Sequence, residues 1–104
     1  MSVTERAQDL TFEEVCKLVI PIAIKHGVER IYLFGSRARE DHDEDSDYDF
    51  CISPGAISDL IELSSFLCDL KDTLGRNVDY VYEKSMSESF AEEVLRDRRL
   101  IFEA

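Results

Sequence analysis

"YLFGSRAREDHDEDSDYDFCI", Tyr32 to Ile52, places a glycine-serine turn, two arginines and a dense acidic segment between two apolar runs. "RIYLF" (Arg30 to Phe34) is rich in β-formers and stops at Gly35, which predicts a strand with a turn behind it. Ser36 to Glu40 is expected to start a short helix, Asp41 to Ser46 to form an exposed loop, and "DYDFCIS" (Asp47 to Ser53) to return to strand. Side chains alternate along a strand, so Asp47, Asp49 and Cys51 share one face, with the two carboxylates about 6–7 Å apart, while Tyr48, Phe50 and Ile52 face the other way. A carboxylate among Tyr48, Phe50, Cys51 and Ile52 is costly without a partner. Asp49 therefore calls for a chemical reason.

Working outward, Thr11 and Glu14 form a capping-box pattern, and Val15, Leu18, Val19 and Ile22 recur at helical spacing until Gly27. Pro21 is expected to interrupt or kink that helix. After Pro54 and Gly55, the residues Ile57, Leu60, Ile61, Leu63, Leu67, Leu70 and Leu74 predict a long amphipathic helix from Ala56, closed by Gly75. "NVDYVYE" (Asn77 to Glu83) predicts a third strand, in which Asp79 interrupts an apolar series. "SMSESFAEEVLRDRR" predicts a second capped helix packing Phe90, Val94 and Leu95, and "LIF" (Leu100 to Phe102) a last short strand. The order α-β-α-β-α-β-α-β implies an α/β (α+β) fold, a small mixed β-sheet with helices packed on it.

With 104 residues the chain is expected to form a single domain over residues 1–104. No apolar run approaches the roughly 18 residues that cross a bilayer, and "MSVTERAQDL" lacks the apolar h-region of a signal peptide, so a cytoplasmic address and no membrane partner are expected. Cys16, Cys51 and Cys68 carry no CxxC spacing and sit within apolar runs, which predicts three small buried hydrophobes and no disulfide framework. His26 and His42 have no metal-ligand spacing and are assigned no function, one at a helix end and the other in a loop. Twelve Lys plus Arg against 23 Asp plus Glu give a net charge of −11. Such a surface repels polyanions, so no stable polynucleotide binding is expected, while a basic protein partner suits it.

Asp47, Asp49 and, from a neighbouring strand, Asp79 would repel one another, which favours raised pKa values or a cation between them. A hard divalent ion such as Mg²⁺ takes carboxylate oxygens together with substrate phosphate oxygens, and two such ions can stabilise the attacking and leaving oxygens of an in-line displacement. Gly35 permits close backbone approach, and the Ser36 hydroxyl with the N–H groups of a helix start can receive a phosphate. Of Arg37 and Arg39, the spacing lets one reach the phosphates while the other pairs with a loop acid; Arg37, nearer the turn, is the choice for phosphate. Taken singly, each element has an ordinary explanation: Gly35 and Ser36 as a turn, Asp47 as a turn residue, Asp79 on a solvated strand face. No aromatic is assigned to stack on a nucleobase, although Tyr32 and Tyr48 are available.

"FGSRARED" followed by "SDYDF", with twelve positions from Gly35 to Asp47, closely resembles the GS-x(10)-DxD signature of the DNA polymerase beta-like nucleotidyltransferase superfamily, and the short length resembles its minimal nucleotidyltransferase (MNT) branch. "VDYVY" matches the position of the third family carboxylate, on Asp79. The resemblance spans Phe12 to Phe102. It implies a small nucleotidyltransferase core with Gly35, Ser36, Arg37 and Arg39 at the nucleotide, Asp47, Asp49 and Asp79 as catalytic and metal-binding residues, and ATP as substrate. It also implies an antitoxin that adenylylates a tyrosine of a HEPN-type toxin. Glu40 departs from the pattern, standing where many relatives have glycine. It adds an acid near the phosphate loop, expected either to weaken nucleotide binding or to pair with Arg37 or Arg39. Two other functions remain compatible with these residues: an antitoxin that acts by occlusion alone, and an aminoglycoside-type nucleotidyltransferase. The intact triad favours catalysis, and the lack of a substrate domain favours a protein acceptor.

Overall fold

The computed structural model describes residues 10–104. The segment read above for a signal peptide lies outside the described residues except for Leu10. Among the described residues, four α-helices and four strands follow in the expected order: α1 Phe12–His26, β1 Arg30–Phe34, α2 Ser36–Arg39, β2 Tyr48–Ser53, α3 Leu60–Leu74, β3 Val78–Tyr82, α4 Glu88–Asp97 and β4 Arg99–Glu103. The strands form one mixed sheet in the order β3-β2-β1-β4, with β1 antiparallel to both β2 and β4 and β3 parallel to β2.

Local chemistry explains the element ends. Thr11 accepts the Glu14 N–H at 3.1 Å and Glu14 accepts the Thr11 N–H at 2.8 Å, the reciprocal box that satisfies two donors at the start of α1. Of the two expected effects of Pro21, interruption does not occur, since α1 runs on to His26. Both Pro21 and Lys17, whose carbonyl the missing N–H would have met, are exposed, so water can take over that acceptor. The long helix α3 starts four residues later than its apolar pattern suggests. Asp59 caps it by accepting the Glu62 N–H at 2.8 Å, and the Glu62 carboxylate in turn accepts the Ser58 N–H at 2.8 Å.

The core lies between the sheet and the pair α1 and α3, built from Val15, Val19, Ala23, Ile31, Leu33, Phe50, Ile52, Leu63, Phe66 and Leu70. Phe66, fully buried and absent from the expected stripe, takes the place of Leu60 and Ile61, which are 76% and 82% exposed. The α3 stripe is Leu63, Phe66, Leu70 and Leu74, so Cys68 falls on its solvent side. Only Cys51 of the three cysteines is buried; Cys16 is half-buried and Cys68 exposed. On α4, Val94 is buried, whereas Leu95 is 54% exposed and does not join the core.

The pairing decides the site. Arg30 pairs with Ser53, Tyr32 with Cys51 and Phe34 with Asp49, so these side chains occupy the sheet face away from α1 and α3. On that face Phe90 of α4 meets Phe34 edge-on at 5.9 Å, and Arg98 lies 3.9 Å over the Tyr32 ring while bonding Glu83 at 3.2 Å. Glu83 also receives Arg30 at 3.1 Å.

Candidate active site

Asp49 and Asp79 are direct partners across the parallel β2–β3 pair. Neighbouring strands run about 4.8 Å apart, so two in-register aspartates on one face hold their carboxylates side by side. Asp47 lies one residue before β2, not within it, and is exposed. The ladder begins only where the Tyr48 N–H donates to the Asn77 carbonyl at 3.0 Å. Tyr48, Phe50 and Ile52 point into the core, as alternation requires.

The electrostatics follow from this crowding. Burial first, then the carboxylates of Asp79 and Asp47, push the Asp49 carboxyl up to about 6, with Arg39 opposing. Gly35 supplies the opposite wall. It adopts φ 76° and ψ −157°, a conformation open essentially to glycine alone. A Cβ there would stand 2.5 Å from Asp49 Oδ2, so the backbone at the turn lies directly against the carboxylate. Half-buried Ser36 follows at the start of α2.

The arginines differ from expectation. Arg37 is buried and faces the loop: its Nε and Nη2 donate to the Ser46 carbonyl at 2.9 and 2.7 Å, and Nη2 also to the Glu44 carbonyl at 3.3 Å. Its guanidinium rests 4.1 Å over the Tyr48 ring. A buried guanidinium bonded to carbonyls is held where it is, because leaving would cost it those charge-assisted bonds. Arg39 is half-exposed and pairs with Asp41 and Asp97, each at 3.0 Å. Pairing with a loop acid was expected of one arginine; Arg39 does so, and it is also the one that acts electrostatically on Asp49. Glu40 pairs with neither arginine but with Arg99, at 3.5 Å. It holds φ 66°, the left-handed conformation for which glycine is the easy choice. Tyr48 is buried beneath Arg37 and so is closed to a nucleobase, and Arg98 covers one face of the Tyr32 ring.

The donor set suits an ion that shares its coordination with substrate. Burial, with the nearby Asp79 and Asp47 carboxylates, holds the Asp49 carboxyl up. Yet among the described residues no three His, Cys, Asp or Glu side chains converge tightly enough to hold a metal by themselves. Mg²⁺ commonly sits in such half-built sites, completed by phosphate oxygens and water. Beside Asp47 an open cavity of about 460 Å³, lined by Asp45, Lys71, Asp72, Arg76 and Asn77, separates the loop from the end of α3.

The chain and its fold are similar to those of known proteins. A family model described as polymerase beta, nucleotidyltransferase matches residues 17–104. A candidate protein adenylyltransferase of Methanocaldococcus jannaschii is 32% identical over 88 residues, covering 85% of this chain and 95% of that one. A solved structure described as a candidate minimal nucleotidyltransferase superposes with a TM-score of 0.74 at 31% identity, over 88% of this chain and 95% of that chain. A chain from the complex of a tri-AMPylated Shewanella oneidensis HEPN toxin with MNT antitoxin superposes with a TM-score of 0.66, over 88% of this chain and 72% of that chain. At 20% identity that likeness is one of fold. No helix among the described residues is long and apolar enough to cross a membrane.

Proposed function

The chain belongs to the polymerase beta nucleotidyltransferase family, and from that premise we propose that it transfers AMP from ATP to a hydroxyl of a partner protein, a tyrosine of a HEPN-type toxin that it neutralises as antitoxin. The observation that carries the transfer chemistry is the in-register pair Asp49 and Asp79, with the Gly35 backbone against the Asp49 carboxylate. Support for a protein acceptor comes from the Methanocaldococcus relative, named for protein adenylylation. Support for the partner comes from the AMPylated toxin complex that shares the fold.

In this mechanism the acceptor oxygen attacks the α-phosphorus, the α–β phosphoanhydride bond breaks, and pyrophosphate leaves. Ser36 and the adjoining backbone N–H groups hold the phosphates. Arg39 assists them, because its guanidinium is half-exposed and solvent screens its pairs with Asp41 and Asp97, so that they can be exchanged for phosphate. Arg37 stays on the loop. Asp79, exposed at the edge strand, accepts the proton of the incoming hydroxyl. Mg²⁺ held by Asp47, Asp49 and Asp79, as one ion or two, would supply charge neutralisation at the triphosphate. The remaining work is alignment by this chain's own residues.

The test is a pull-down with the tagged chain from its own host, followed by the intact mass of the recovered partner after incubation with Mg²⁺ and ATP, beside Asp47→Asn/Asp49→Asn. A gain of whole AMP units that the double variant fails to produce is expected. A stable complex with no gain in mass would refute transfer and leave occlusion as the means of neutralisation.

A further inference from the structure

The loop that delivers Asp47 carries carboxylates at Asp41, Asp43, Glu44, Asp45 and Asp47 in seven residues, a segment whose charges drive it apart. Its internal bonds close one turn from Asp43 to Ser46: the Asp45 N–H donates to Asp43 Oδ1 at 2.9 Å, the Ser46 N–H to the Asp43 carbonyl at 3.2 Å, the Asp43 N–H to Ser46 Oγ at 3.1 Å, and the Ser46 hydroxyl to Asp43 Oδ1 at 3.3 Å; none of them reaches another element. Two arginines from other elements hold its main chain. Arg37 of α2 donates to the carbonyls of Ser46 and Glu44. Arg76, in the turn between α3 and β3, donates from Nε to the same Glu44 carbonyl at 2.6 Å and from Nη1 to the Gly75 carbonyl at 2.8 Å. The Glu44 carbonyl thus receives both guanidinium groups.

Arg76 stands three residues before Asp79, and the loop it grips ends three residues beyond Glu44 at Asp47. One side chain therefore ties the backbone leading to one site carboxylate to the backbone leading to another. We propose that Arg76, together with Arg37, is a positioning residue that clamps the acidic loop so that Asp47 is held against Asp49 and Asp79. The clamp rests on the metal-binding role given to these carboxylates above. Guanidinium chemistry suits such a clamp, since a planar group bonds two carbonyls in fixed geometry and its charge makes those bonds stronger than neutral ones. The open cavity beside Asp47 separates the loop from the end of α3, and Arg76 is part of its lining, so this side chain reaches the loop across that gap.

The sign of one measurement separates positioning from simple charge. As a nearby cation, Arg76 repels a metal ion, so its removal on electrostatic grounds alone would tighten metal binding. As a clamp, its removal lets Asp47 drift and weakens binding. The experiment is Mn²⁺ titration of the full chain followed by electron paramagnetic resonance, for the parent, Asp47→Asn, Arg76→Ala and Arg76→Lys, with thermal melts in EDTA alongside. Losing one charge-assisted bond predicts Mn²⁺ binding weaker by about threefold or more in Arg76→Ala, with Arg76→Lys between it and the parent. Equal or tighter binding by Arg76→Ala overturns the clamp. If Arg76→Ala is unfolded at the assay temperature, Arg76→Lys decides: weaker binding supports the clamp and parental binding overturns it. A parent that binds Mn²⁺ no better than Asp47→Asn removes the carboxylate site itself, and the clamp with it. A parent that binds, an Asp47→Asn that does not and an unaltered Arg76→Ala remove the clamp alone.

Discussion

Asp49→Asn should stabilise the metal-free protein at neutral pH while removing its activity. The Asp49 carboxyl is raised from 3.8 to about 6 by burial and by the Asp79 and Asp47 carboxylates. A raised carboxyl contributes stability that is fully present below the unfolded value and is lost as pH rises through the folded one. The window here runs from pH 3.8 to somewhat above 6. A shift of about two units corresponds to ~3 kcal/mol, and because Asp49 is only half-buried, solvent screening reduces this to ~1.5 kcal/mol. Asparagine has nearly the same shape and no charge, so it escapes the penalty. In EDTA at pH 7.5 the variant should melt higher by roughly 6–10 °C, as expected for a domain of this size. At pH 4 the gap should close. Saturating Mg²⁺ should stabilise the parent and leave the variant unmoved, because an ion that binds only the native carboxylate site shifts stability by mass action. The assay is thermal unfolding of both proteins across pH 4 to 8, read as a difference so that other titrating groups cancel. A variant less stable than the parent at pH 7.5 in EDTA, or a gap that does not change with pH, would refute the electrostatic reasoning.

Two further substitutions test the turn. Gly35→Ala would set a Cβ 2.5 Å from Asp49 Oδ2 on a backbone at φ 76°. It should cost about 2–4 kcal/mol in urea unfolding and abolish transfer; a fully active, unshifted variant would remove Gly35 from the site. Glu40→Gly should relieve left-handed strain at φ 66°. It exchanges a weak exposed pair with Arg99 for a net gain of about 0.5–1 kcal/mol in the same assay, and a loss of stability would mean that the Arg99 pair matters more than the backbone.

The strand-turn-strand core of the site was legible in sequence because its signals are local. Gly35 ends a β-rich run, alternation puts Asp49 on the face opposite Phe50, and the Gly-Ser and Asp-x-Asp spacing is a matter of chain position. Asp79 was legible as an interruption of an apolar strand. Capping by Asp59 was also written locally, as Asp59 with Glu62, but Ile57, in phase with the stripe that follows, hid it. The arginines were not legible. Arg37 and Arg39 are two residues apart with identical chemistry, and only the tertiary structure, by closing the loop over Tyr48, buries one among carbonyls and leaves the other on the surface beside Asp97. Arg76, thirty-two residues from the carbonyl it grips, carried no signal at all. Sequence alone determined the elements, the faces of the strands and the residue types available for catalysis, since each depends on near neighbours in the chain. Tertiary structure alone decided that β3 pairs in parallel with β2 so that Asp79 meets Asp49, and which cations serve the loop, because hydrogen bonds and desolvation depend on distances in space.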